Sequence, residues 1–199
     1  MFKTLKLFTI ISILIFLSGC AGKNFVRPTQ ETFKLGKTTY SQVVQQLGKP
    51  EKEGTLRQNN KDLKSIMYIY AALIGEDALE EGVTPGRAMV YYFLDNILVG
   101  EQFMSSFKSD NSNFDDTKIA AIVKGKTTRS QVVQLLGRPS GSYITPLVKT
   151  TTGEAFGYSY STLKGGAFSG FKSFQKRLLI SFNKHGRVSE IEFSSSSNK

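Results

Sequence analysis

Apolar residues recur along this chain in two rhythms. Val43, Val44 and Leu47 share one face of a short helix, and Val132, Val133 and Leu136 do the same farther on. Between and after them come β-rich runs. Ile66–Tyr70 (IMYIY), Ala88–Leu94 (AMVYYFL) and Ile97–Phe103 (ILVGEQF) follow the first helix. Glu154–Leu163, Arg177–Phe182 (RLLISF) and Arg187–Phe193 (RVSEIEF) follow the second. Asp95-Asn96 is a hairpin signal, and Asn183-Lys184-His185-Gly186 is a longer turn.

The rhythm repeats because the sequence repeats. Gly36–Pro50 (GKTTYSQVVQQLGKP) and Gly125–Pro139 (GKTTRSQVVQLLGRP) agree at 12 of 15 positions, 89 residues apart. Thr39 with Gln42, and Thr128 with Gln131, form capping boxes that start each helix. Gly48 and Gly137 suit a left-handed C-cap, and Pro50 and Pro139 stop continuation. Phe93 and Phe182 keep the 89-residue offset, while Phe103 and Phe193 are 90 apart, so one residue enters near the turn. Helices this short need a surface to dock on. Shorter helical candidates precede each copy at Thr32–Leu35 and Asp116–Val123, the latter capped by Asp115 or Asp116.

The expected fold is therefore α+β: two tandem α-α-β-β-β units, each a helix pair packed on a three-stranded antiparallel sheet. The expected division is a signal peptide over 1–19, a tether over 20–28, a first unit over 29–104, a polar linker over 105–114, a second unit over 115–193, and a disordered tail over 194–199.

Composition removes most chemistry. The chain has 199 residues with one Cys and one His. That leaves no disulfide framework, no Cys-based zinc site and no His cluster. Ser41 and Ser130 sit at helix starts without a histidine in the motif, and His185 falls in a turn. Gly165–Ser173 (GGAFSGFKS) invites a phosphate-loop reading, but Phe171 separates Gly170 from Lys172 and the stretch lies between strands. No catalytic residue, metal, cofactor or nucleic-acid partner is expected.

Charge is uneven. Residues 20–104 are neutral overall, whereas residues 105–199 carry net +8. The acidic stretch Gly75–Gly82 (GEDALEEG) has as its counterpart the basic stretch Lys164–Lys172. Lys164, Phe168, Phe171 and Lys172 combine cations with aromatics, a pattern suited to an anionic surface that also accepts apolar contact.

The amino terminus reads as an address. Lys3 and Lys6 precede the apolar run Leu7–Leu17, which is too short for a span of about 20 residues. Leu17-Ser18-Gly19-Cys20 resembles a bacterial lipobox. The resemblance implies cleavage before Cys20, a diacylglyceryl group on its thiol, and an acylated amine, commonly with palmitate. Ala21 in place of Asp favours the outer membrane where that sorting rule applies.

Lipobox, repeated G-x-T-x-x-x-V-x-x-x-L-G-x-P and aromatic-ended strands together resemble the SmpA/OmlA (BamE-like) outer-membrane lipoproteins. The tandem arrangement is also similar to the β-lactamase-inhibitor-protein fold. The first resemblance implies a non-catalytic lipoprotein on the outer membrane, facing the periplasm. It implies protein partners and a role in β-barrel assembly and envelope integrity. The second leaves open an inhibitor-like regulator of a periplasmic enzyme, and the basic unit leaves open an adaptor for anionic lipid or peptidoglycan.

Overall fold

Both capping boxes form. Gln42 N–H donates to Thr39 Oγ1 at 3.3 Å and Thr39 N–H returns to Gln42 Oε1 at 2.8 Å. The second copy repeats this with Gln131 and Thr128 at 3.4 and 2.9 Å. They open helices α1 (Tyr40–Leu47) and α2 (Arg129–Leu136). Each ends at a glycine with φ of 85° or 81° and ψ of −168°. That is not the left-handed cap expected for Gly48 and Gly137, but an extended mirror region that essentially only glycine enters. A core tyrosine ties each end down: Tyr68 Oη donates to Gly48 O at 2.8 Å, and Tyr158 Oη to Gly137 O at 3.0 Å.

The computed structural model describes residues 22–72, 77–79, 83, 85–149, 153–166 and 170–198. Eight strands run β1 (Lys52–Gln58), β2 (Lys61–Ala71), β3 (Gly86–Leu94), β4 (Ile97–Ser105), β5 (Gly141–Ile144), β6 (Glu154–Gly166), β7 (Gly170–Phe182) and β8 (Val188–Asn198). They pair antiparallel in chain order as one sheet.

This overturns the expected two helix-plus-three-strand units. Each copy supplies four strands, and the two sets join where β4 pairs with β5. The seam consists of Gly100 with Tyr143, Glu101 with Ser142, and Gln102 with Gly141. Phe103 N–H extends it by donating to Ser140 O at 2.7 Å. Two separate sheets would each leave another edge of unpaired backbone groups, and the seam removes both. The added strands lack an apolar signal: β1 reads KEGTLRQ and is exposed over most of its length, and β5 has four residues. The helix pairs are also absent. Thr32–Leu35 forms turns, and Asp116–Ala121 is a 3₁₀ turn capped by Asp115. Ser194–Asn198, expected to be disordered, forms the end of β8.

The repeat survives in three dimensions. β3 and β7 carry register shifts at Tyr92/Phe93 and Ser181/Phe182, 89 residues apart. The partner strands β4 and β8 bulge there in both copies. The one-residue change in offset lies in the turn between them, longer at Asn183–Arg187 than at Asp95-Asn96. Both helices lie on one face of the sheet. Val43 is fully buried with Ile66, Tyr91 and Phe93, and Val132 with Phe156, Ile180 and Phe182. Burying one such valine contributes about 1.5–3 kcal/mol.

A meander also sorts the loops by end. The β1–β2, β3–β4, β5–β6 and β7–β8 connections share one end, called here the far end. The β2–β3, β4–β5 and β6–β7 connections share the near end. Each helix starts at the far end: Tyr40 N–H donates to Asn96 O at 3.0 Å, and Arg129 N–H to Gly186 O at 3.2 Å.

The two helices differ at one matched position. Leu136 is buried, whereas Leu47 is only half-buried. Leu136→Ala should cost about 2–5 kcal/mol, the range for a buried leucine, and Leu47→Ala distinctly less. Chemical denaturation of both variants checks this, with equal losses as the contrary result.

Candidate binding face

On the sheet face opposite the helices both copies meet beneath part of the β5–β6 loop. The centre of this face is built from glycine. Gly100 on β4, Gly141 on β5 and Gly157 on β6 lie on adjacent strands. The Tyr143 ring occupies the space their side chains would take. A Cβ on Gly157 would come within 2.8 Å of Tyr143 Cε2, and one on Gly141 would meet its hydroxyl. Burial pushes the Tyr143 phenol above its ordinary pKa, and that of Tyr92 on β3 likewise.

The β5–β6 loop folds toward this face. Leu147 fills the space beside Gly100. Asn59, in the β1–β2 turn, holds the loop by donating from Nδ2 to Pro146 O at 2.8 Å. Lys149 reaches Glu192 on β8 at 3.4 Å. Between the loop and the outer strands lies a cleft of about 620 Å³. Leu56, Tyr92, Tyr143, Leu147 and Leu179 give it an apolar floor, with Arg177 and Glu192 among the polar residues around it.

On the helix side, two arginines lock the copies together. Arg27 Nη2 donates to Pro139 O at 2.6 Å, and Arg138 Nη2 donates to Pro28 O at 2.6 Å. The Arg27 guanidinium lies 4.9 Å from the Phe103 ring centre. Burial, and then the charge of Arg138, lower its pKa to about 10. Arg87 adds a third clamp, donating to Phe25 O at 2.7 Å and pairing with Asp110 at 3.1 Å. Residues 22–28 therefore lie against the body. Gly22 bridges Tyr70 on β2, close to the near end.

The sequence-predicted site residues fall partly on this near end. Lys164 and Lys172 face each other in the β6–β7 ladder. Lys164 also bridges Val83, so the β2–β3 connection of the first copy lies beside the basic hairpin of the second. Leu79 from that same connection packs on the second core. Phe168, the Phe171 side chain, and Leu17, Ser18, Gly19 and Cys20 lie outside the described residues. Sequence reasoning missed the glycine–Tyr143 platform. Its only signal is three glycines in or beside β-rich runs, where glycine marks close approach of another group.

The second repeat is similar to a BamE domain. Residues 113–192 match the family model described as the outer membrane protein assembly factor BamE domain. The matched span covers α2 and β5 to β7, and ends within β8. The resemblance drawn from the repeated motif thus holds for its second copy. No curated protein matches the chain. Among solved structures, a candidate beta-lactamase inhibitor protein from Streptococcus mutans aligns at 14% identity and a TM-score of 0.41, covering 92% of this chain and 96% of that one.

The platform yields a test. Gly157→Ala should destabilise the fold by about 1–3 kcal/mol through overpacking against Tyr143. The same change in a Tyr143→Ala background should cost much less. Equal costs in both backgrounds, measured by urea denaturation, would show that Tyr143 does not occupy this space.

Proposed function

We propose that this chain is a non-catalytic outer-membrane lipoprotein that binds proteins and supports outer-membrane protein assembly. The match of residues 113–192 to an assembly-factor domain carries this reading. The geometry supports it in two ways. The sheet face opposite the helices is continuous across both copies, and its cleft mixes tyrosine, leucine and arginine as protein-binding surfaces do. The amino-terminal segment is held against the near end, so an acylated Cys20, two residues before Gly22, would set the body's orientation to the membrane. Two residues of extended chain reach about 7 Å. The near end would then face the lipid, where Lys164 and Lys172 add weak electrostatic contact beside the anchor. Lysine near an anionic membrane contributes about 1 kcal/mol, so the acyl chains dominate.

The test is purification of the processed protein from detergent-solubilised envelopes. Barrel-assembly subunits should co-purify, and mass spectrometry should find an acylated peptide beginning at Cys20. Leu56→Asp with Leu179→Asp should reduce recovery of those subunits, whereas Gln45→Glu on exposed α1 surface should not. Absence of assembly subunits, or equal recovery with the cleft variant, rejects the binding role. An unmodified Cys20 thiol in processed protein rejects the anchor.

A further inference from the structure

The +8 balance of residues 105–199 is not spread evenly over the surface. Several of the cations are spent inside the fold. Arg129 pairs with Glu154 at 2.8 Å, Lys176 pairs with Asp116 at 2.6 Å, and Arg138 binds the Pro28 carbonyl. Four others gather at the far end. Lys124 and Lys126 stand in the turn before α2, and Lys184 and Arg187 in and beside the β7–β8 turn. The turns are laced together: Gly125 N–H donates to Val188 O at 2.7 Å, and Arg187 Nη1 donates to Lys126 O at 2.7 Å. All four side chains are exposed, and none forms an ion pair with a described residue. Arg187 also laces the turns, whereas no hydrogen bond or ion pair to a described residue is made by the side chains of Lys124, Lys126 and Lys184. The matching turns of the first repeat hold Lys37 and Asp95, whose charges cancel.

Beside this patch is a hollow of about 600 Å³ between the 3₁₀ turn and α2. Ala121, Val123 and Leu135 line it, with Lys126 at its rim, and Val123 is 46% exposed. Thr127, Gln131 and Gln134 complete its lining, and the mixed polar and apolar hollow beside the lysines suits a folded protein surface that offers carboxylates next to an apolar side chain. The patch is also far from the amino-terminal segment. β2 runs from its far-end residue Lys61 to Tyr70, where Gly22 docks, a length of about 30 Å at strand rise.

We propose that this far-end patch of the second repeat docks a carboxylate-rich face of a partner protein, on the side of the molecule away from its membrane. The choice of protein over lipid rests on the lipoprotein reading, which puts the anchoring membrane at the other end. Three exposed lysines beside Arg187, on two turns that are bonded together, would steer and hold such a partner, with strong dependence on salt.

The experiment uses the full processed protein in neutral detergent. Its probes are a fluorescent oligoglutamate peptide, read by anisotropy, and vesicles of phosphatidylglycerol and phosphatidylcholine, read by flotation of protein reconstituted without detergent. Lys124→Glu with Lys126→Glu and Lys184→Glu should weaken peptide binding at least about tenfold at low salt, and the difference should vanish at high salt. The near-end pair Lys164→Glu with Lys172→Glu should leave peptide affinity within about twofold, since it lies beyond the screening length. A milder set, Lys→Gln at the same three far-end positions, should fall between, with thermal stability unchanged in all variants. Peptide binding that ignores the far-end changes, or that falls equally with the near-end pair, overturns the proposal. So does wild-type protein that binds anionic vesicles through the far-end lysines and ignores the peptide. These outcomes do not depend on Cys20 acylation or on co-purified subunits, so failure here is distinct from failure of the lipoprotein reading.

Discussion

Three residue pairs between β4 and β5 turn two copies of one motif into a single molecule. Gly100, Glu101 and Gln102 lie opposite Tyr143, Ser142 and Gly141. This ladder is short, so side chains reinforce it on both faces. Arg27 and Arg138 exchange carbonyl contacts across it on the helix side, and Asn59 grips the β5–β6 loop on the other. Glu101 shows how dry the seam is: burial raises its carboxyl pKa despite the nearby charges of Arg27 and Arg138.

Much else depends on this join. A continuous meander places alternate connections at opposite ends, and so separates the amino-terminal segment from the start of α2. It brings the β2–β3 connection of the first copy onto the core of the second through Leu79 and Val83. The bridge between Val83 and Lys164 then brings the β2–β3 connection beside the β6–β7 hairpin at the near end. Lys124, Lys126 and Lys184 of the second copy are gathered at the far end. The shared face opposite the helices exists only because β4 and β5 are neighbours, since Tyr143 needs glycines from three strands to lie flat.

The repeated helices were legible because capping, apolar spacing and a terminal glycine all agree over one short motif. The inner strands were legible from runs such as Ala88–Leu94, and the turn at Asp95-Asn96 from residues that tolerate positive φ. β1 was not, because an edge strand exposed on both faces carries charge in place of alternation. β5 was hidden by its length and by Gly141, whose value lies in what approaches it. The seam itself has no sequence signature: main-chain pairing between distant segments is indifferent to most side chains. For the same reason the lysines of the far end read only as a net charge until the turns were seen to meet.

Native-state hydrogen exchange at the seam tests this account most directly. Phe103 N–H, bonded to Ser140 O, should exchange as slowly as the core amides of β3 and β6, and both repeats should lose protection in one transition as denaturant is raised. A Phe103 amide that exchanges like an open edge, with the two repeats unfolding separately, would mean that the copies are independent units and that the shared face does not exist.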